Sequence, residues 1–191
     1  MNVETVAGPP KEDDPWETIS STVAYENAWI RVDHREVIRP DGQPGIYGVV
    51  HFANRAAAIV PLTDDGRTWL VGQFRYTTGE YSWEVPEGGV PMGEDLIEGA
   101  RRELAEETGI RATSVEQVAR CHLSNSVTDE EAFVFVATGL TFGDAQPEGT
   151  ESLQIREVTF DDALAMVDAG EITDGFSLIA LFAVDRWRKH S

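Results

Sequence analysis

The chain is poor in cysteine, in cations and in long apolar runs. One of its 191 residues is cysteine, Cys121. That excludes a disulfide within the chain and, with no Cys or His at ligand spacing around it, a thiolate metal site. A small buried filler is the expectation for it. Lys and Arg number 15 against 34 Asp and Glu, a formal net charge of −19, which argues against nucleic-acid backbones and anionic membranes as partners. His34, His51, His122 and His190 have no ligand partners at useful spacing and read as bystanders. No apolar run reaches transmembrane length and no signal-type apolar segment opens the chain, so the cytoplasm is the expected location. Internal repeats are absent too.

What the chain does have is a dense acidic stretch, GGVPMGEDLIEGARRELAEETGI, residues 88–110. Asp95 or a neighbour can cap a helix that stops near Gly109. Leu96, Ala100 and Leu104 recur at four-residue spacing and make its buried stripe. Glu103, Glu106 and Glu107, three and four residues apart, crowd onto another face. Carboxylates that close repel one another, and a structural helix gains nothing from the arrangement. A hard divalent cation, Mg²⁺ or Mn²⁺, removes the conflict. Gly88 and Gly89 are expected to let the preceding backbone turn sharply and present a carbonyl to the same place. A merely solvated acidic helix accounts for the charge, but not for the spaced glycines or for Arg102 inside the acid cluster.

The rest of the chain reads as short strands with helices at the end. Residues 1–15 are polar, with clustered Pro and acids, and are expected to form a disordered tail. Strands are expected at 18–25, 29–39 and 45–54, with turns at Glu26-Asn27 and Asp41-Gly42. Residues 56–63 and 68–76 read as a hairpin around Asp64-Asp65-Gly66. A strand over 81–86 (YSWEVP) feeds into the acidic stretch. Strands follow at 115–125 and 132–138, then a loop over 139–152, a strand at 153–160, a helix at 160–170 with Ala163, Leu164 and Val167 inward, and a last helix at 172–187.

The stretch from Gly88 to Ile110 fits the Nudix box, G-x5-E-x7-R-E-U-x-E-E-x-G-U, at every fixed position. The chain resembles the Nudix hydrolases over roughly residues 18–187. The N-terminal strands and the ending ITDGFSLIALF are similar to the ADP-ribose pyrophosphatase and nucleoside diphosphate sugar hydrolase branch. The resemblance implies an α+β fold, the Nudix α/β/α sandwich with a mixed sheet (residues 55–191), plus a small antiparallel β subdomain (residues 16–54) that packs across a homodimer. It implies Mg²⁺-dependent cleavage of nucleoside diphosphate sugars, with Mn²⁺ as an alternative ion, to a nucleoside monophosphate and a sugar phosphate. The partner is thus a nucleotide-sugar substrate, with no nucleic acid and no membrane.

Residue by residue, the resemblance assigns the metal to Glu103, Glu107 and Glu106 with the carbonyl of Glu87, and makes Arg102 the residue that orients these glutamates. Glu94 becomes the structural partner of Arg102. Arg75, at the end of VGQFRY, is a candidate contact for the substrate's phosphates or sugar, or a surface arginine pairing with the acidic excess. Glu84 is open between an extra metal ligand, a substrate contact and a strand-edge salt bridge. A loop glutamate that orients or deprotonates water falls on Glu151 first and Glu148 second. The last two helices are assigned to scaffold. Where classical ADP-ribose pyrophosphatases carry a segment like L-S-P-G, this chain has Leu123-Ser124-Asn125-Ser126, which points to a broader sugar-nucleotide range. The alternatives are strict ADP-ribose specificity, a nucleoside triphosphate pyrophosphohydrolase, and a non-catalytic nucleotide-sugar-binding module.

Overall fold

A computed structural model describes residues 14–145 and 153–190. The chain divides into two compact units, residues 1–51 and 52–191. In the first, β1 (Glu17–Glu26), β2 (Ile30–Ile38) and β3 (Pro44–Phe52) form a sheet in that order, with β1 antiparallel to β2. Asn27 makes the first turn, its side-chain oxygen accepting from the N–H groups of Trp29 (2.8 Å) and Ile30 (2.9 Å), as a short amide side chain does when it mimics a backbone turn. At the second turn the Gly42 N–H donates to Arg39 O (2.8 Å). The sheet leaves Ile19, Val23, Tyr25 and Ile46 exposed.

The second unit holds two sheets. One runs β7 (Glu87–Pro91), β4 (Asn54–Pro61), β9 (Glu131–Phe142), β8 (Ile110–His122); the other runs β10 (Gln154–Thr159), β5 (Arg67–Arg75), β6 (Glu80–Glu84). β4 is parallel to β9 and antiparallel to β7, so the four-stranded sheet is mixed. From Ala56 to Val60 β4 is continuously apolar because both its faces are covered there. Ala57 and Ile59 pack with Ala100 and Leu104 of α1 (Leu96–Thr108), while Ala58 and Val60 pack with Phe160 of α2 (Phe160–Asp168) and Ala180 and Leu181 of α3 (Gly175–Arg188). Helices thus cover a mixed sheet on both faces.

Several expectations need correcting. Residues 56–63 and 68–76 do not form a hairpin. The turn is there, with the Gly66 N–H donating to Thr63 O at 3.0 Å, but β4 joins one sheet and β5 the other. The strands separate because β4 is drawn to β9 and β7, while β5 pairs with β10 and β6. Residues 139–142 continue β9 rather than opening a loop, with Leu140, Thr141 and Phe142 paired to Ala112, Arg111 and Ile110 of β8. In α2 the fully inward residues are Phe160, Ala163 and Met166, and α3 begins at Gly175, capped by Asp174. Cys121 is only partly buried. His51 is not a bystander: its Nε2 lies 3.2 Å from Asp33 Oδ2.

Candidate active site

α1 starts where Asp95 Oδ1 accepts from the N–H groups of Ile97 (3.0 Å) and Glu98 (3.1 Å), a cap worth about 1 kcal/mol. It ends at Gly109, whose φ of 72° suits a residue without Cβ. Between these stops Ala100 and Leu104 sink into the core, and the helical period carries Arg102, Glu103, Glu106 and Glu107 toward β7. Arg102 is the hub. Its Nε and Nη2 donate to Glu94 (3.2 and 3.1 Å), its Nη1 donates to Glu103 (2.7 Å) and Glu106 (2.9 Å), and its Nη2 also donates to Gly89 O (3.1 Å). The hydrogen bond with Glu94, and those with Glu103 and Glu106, hold its guanidinium still more firmly protonated than usual.

Glu107 lies deeper, 3% exposed. One of its carboxylate oxygens accepts from the backbone N–H of Glu87 at 3.0 Å, which ties the helix to the start of β7. Gly88 and Gly89 themselves lie within β7, paired with Ala57 and Ala56, and the bend in the backbone before them falls at Pro86. Their role is close approach. A Cβ at Gly88 would overlap the Glu103 carboxylate, and one at Gly89 would press on the Asn54 side chain. The signature glycines therefore let a carboxylate lie directly against a strand backbone.

A second group sits on the other side of Glu87. Arg75, at the end of β5, forks onto Glu84 (Nε to Oε1 at 2.9 Å, with Nη2 closing the pair) and reaches Glu87 Oε1 at 2.8 Å. Glu84 is 1% exposed. Asp174, the cap of α3, completes the group: Glu84, Glu87 and Asp174 each bring a carboxylate oxygen within 4.8 Å of the others. With Arg75 and Tyr81 they line a cavity of about 370 Å³. Three carboxylates thus share one guanidinium. Burial pushes the Glu87 carboxyl well above the ordinary carboxylate range; the charges of Asp174 and Glu84 push it the same way, and Arg75 opposes them. The hydrogen bond that Arg75 donates to Glu84, with the nearby negative charges, holds its guanidinium more firmly protonated in turn.

Reading the sequence missed two members of this group. The side chain of Glu87 belongs to it, although only the carbonyl of that residue was anticipated. Asp174 belongs to it from an element read as scaffold. The one sequence signal for Asp174 was its place three residues before Ser177, the spacing of a helix cap. Glu148 and Glu151 lie outside the described residues.

The donor set fits a hard divalent cation. Glu107 is a buried carboxylate, Glu103 lies in a cradle that any Cβ at Gly88 would fill, and Glu87 Oε2 is buried without a hydrogen-bond partner. Oxygen donors with excess negative charge are the chemistry Mg²⁺ and Mn²⁺ select. Among the described residues, the group whose ligand oxygens already converge is Glu84, Glu87 and Asp174; Glu103 and Glu106 are turned to Arg102.

The helix-borne acids, the glycine strand beneath them and the layered mixed sheet together define a class. The chain belongs to the Nudix family of hydrolases: the NUDIX domain matches residues 53–176, and the nucleoside diphosphate sugar hydrolase N-terminal domain matches residues 16–50. Within that family it is similar to the ADP-ribose pyrophosphatase of Bacillus subtilis (strain 168), at 30% identity over 166 residues, 86% of this chain and 89% of that protein. It is similar also to the ADP-ribose pyrophosphatase of Mycobacterium tuberculosis, at 31% identity over 173 residues, 88% of this chain and 83% of that one. A crystal structure of an ADP compounds hydrolase shares the fold, with a TM-score of 0.84 over 95% of this chain and 98% of that chain at 20% identity.

Proposed function

We propose that the protein hydrolyses the pyrophosphate bond of nucleoside diphosphate sugars, releasing a nucleoside monophosphate and a sugar phosphate, with a divalent cation held by Glu103, Glu106, Glu107 and the main-chain carbonyl of Glu87. For ADP-ribose the products are AMP and ribose 5-phosphate. A bound Mg²⁺ would neutralise phosphate oxygens and acidify a coordinated water. The observation that carries the reading is the hydrogen bond from the Glu87 N–H to Glu107, with Glu103 against Gly88: it brings the acids of the helix and the backbone of the strand to one place. Arg102 holds Glu94, Glu103 and Glu106 in fixed directions. Arg75, permanently charged, offers its charge and its remaining Nη1 donor to the diphosphate, with Glu84 and Glu87 holding its other arm and setting its plane. The water-directing base falls to Glu151 or Glu148. In the reaction the oxygen of water bonds to one phosphorus, the bridging P–O bond breaks, and the bridging oxygen leaves with the other phosphate.

The N-terminal unit is proposed to serve a homodimer, as its exposed Ile19, Val23, Tyr25 and Ile46 suggest, and the cytoplasm is the proposed location. Among the described residues no helix is long and apolar enough to cross a membrane.

The test is phosphatase-coupled turnover of ADP-ribose, ADP-glucose, GDP-mannose, UDP-glucose, dinucleotides and nucleoside triphosphates with Mg²⁺, with Mn²⁺ and with EDTA. Metal-dependent turnover of several sugar nucleotides is expected. Preference for ADP-ribose alone would favour the narrower reading that the names of the two bacterial relatives suggest. Absence of turnover on every substrate would favour a binding module.

A further inference from the structure

The segment from Glu84 to Glu87 is the place where the chain leaves one sheet for the other. Pairing of β6 with β5 ends at Glu84 opposite Val71, and pairing of β7 with β4 begins at Glu87 opposite Ala58. Val85 and Pro86 lie between the two ladders. Proline has no N–H, so the Val85 N–H is the one donor of this pair, and Val85 is fully buried. A buried donor without an acceptor carries the full cost of its desolvation. The acceptor comes from 92 residues away: Ser177 Oγ, 3.0 Å from the Val85 nitrogen. Ser177 is itself completely buried in the first turn of α3, beside Phe176 and Ala180. Its own N–H is held by Asp174 Oδ2 at 2.7 Å.

The crossing is therefore pinned from three directions. Ser177 of α3 holds Val85, the Ile59 N–H of β4 holds Pro86 O at 2.8 Å, and Glu107 of α1 holds the Glu87 N–H at 3.0 Å. The two residues flanking the crossing are the ones that meet Arg75. We propose that Ser177 is a positioning residue for the reaction: through the Val85 N–H it fixes the crossing that carries Glu84, and with it the plane of Arg75, and the Glu87 backbone that faces Glu107. The inference rests on the hydrolase reading above. It takes α3 out of the role of scaffold alone. Site groups must be held to within a fraction of an ångström, and misplacement by about 1 Å can cost on the order of 100-fold in rate.

The experiment compares Ser177→Ala with Val184→Ala, a truncation two turns further along α3 at a buried core residue whose side chain has no polar atom to hold the Val85 N–H. Both lower the melting temperature. Well below that temperature, and per folded molecule, Ser177→Ala is expected to lose roughly 10- to 100-fold in kcat/KM, while Val184→Ala keeps the parental value. A rise in KM traces the loss to Arg75 and a fall in kcat traces it to Glu87. Hydrogen exchange is expected to quicken in the peptide spanning residues 84–88 of Ser177→Ala without quickening in β4, as local release of one segment does. Ser177→Thr, which keeps the hydroxyl, is expected to restore most of the loss; if the added methyl prevents folding, the comparison of the two Ala variants decides. Parental kcat/KM in folded Ser177→Ala, or an equal loss in Val184→Ala, overturns the proposal. The parent protein in the same assay separates the two levels: if it shows no metal-dependent turnover of any sugar nucleotide, the hydrolase reading fails and takes this inference with it, whereas an active parent with an unaffected Ser177→Ala overturns this inference alone.

Discussion

The cluster around Asp33 in the N-terminal unit and the cluster around Arg75 in the hydrolase unit are built to opposite balance. In the N-terminal sheet a single carboxylate, Asp33, faces Arg31 Nε at 3.1 Å, Arg35 Nη2 at 3.4 Å and His51 Nε2 at 3.2 Å. In the hydrolase unit a single guanidinium, Arg75, is shared among Glu84, Glu87 and Asp174. The electrostatic outcome follows the count. Burial alone would raise the Asp33 carboxyl, yet Arg31, Arg35 and His51 outweigh it and hold it below the ordinary range. Burial raises Glu87, and here the neighbouring charges add to the rise. A compensated cluster rests in one protonation state and serves the fold. An acidic excess beside a cavity is a standing cost that packing does not offset, and such clusters concentrate where charge is to be bound.

The largest expected effect comes from the acid that links helix and strand. Glu107→Gln keeps the shape of the side chain and an oxygen to accept the Glu87 N–H, and removes only the charge. Turnover is expected to fall roughly 10²–10³-fold, the scale of losing one strong electrostatic contact at a reacting centre, while the thermal melt shows an intact fold. A folded variant with near-parental turnover would remove Glu107 from metal binding.

Arg75→Ala breaks the comparison from the other side by leaving three carboxylates without a cation. KM is expected to rise roughly 10- to 100-fold, as for loss of a charged hydrogen-bond pair. The melting temperature should fall as well. Because Arg75 is 38% exposed, solvent screening reduces the several kcal/mol of a fully buried pair to about 1–2 kcal/mol. Arg75→Lys restores charge but not the fork, and is expected to recover stability ahead of KM. Recovery of both alike would mean that the charge, rather than the planar geometry, is what the substrate reads.

How far these features could be read from sequence depended on how local their causes are. Asp95 and Gly109 bound α1 as anticipated, because a cap and a left-handed stop are properties of a few neighbouring residues. The apolar stripe of Ala100 and Leu104 followed from helical period. The turn at Asp64-Asp65-Gly66 was legible too, yet the strands it joins go to different sheets, since partners for β4 and β5 are chosen by residues as distant as Ala132 and Gln154. The close approach at Gly88 was not legible, because glycine licenses both turns and close approach, and only the Glu103 side chain packed on β7 decides between them. Asp174 and His51 were missed for the same reason. Their partners, Glu87 and Asp33, lie 87 and 18 residues away in the chain.

Glu87→Gln sharpens the comparison through stability. Between its unfolded pKa, near 4.5, and its raised folded value, the folded protein binds the proton that the unfolded chain has lost. Stability therefore falls as pH rises through this window. Removing the titratable group should raise the melting temperature of the metal-free protein at pH 7. The gain should vanish below about pH 4.5, where folded and unfolded Glu87 are both protonated. A neutral-pH melting temperature that falls instead would show that Arg75 compensates Glu87 fully and that the acidic excess costs nothing.

Asp33→Asn carries the smallest expected effect and gives the mirror profile. The folded value of Asp33 lies below its ordinary 3.8. Its charged form therefore stabilises the fold fully above that pH, and the contribution is lost as pH falls through the depressed folded value. Asp33→Asn should melt below the parent at pH 6 and converge on it under acid, whereas Glu87→Gln melts above the parent at pH 7 and converges from the other side. Opposite signs are required if charge balance, rather than desolvation, separates the two clusters, since desolvation by itself raises both. Melts of the two variants across pH 3–8 in EDTA give the answer directly. If Asp33→Asn gained stability at neutral pH as Glu87→Gln is expected to, desolvation would be outweighing Arg31, Arg35 and His51, and the N-terminal cluster would be as strained as the one around Arg75.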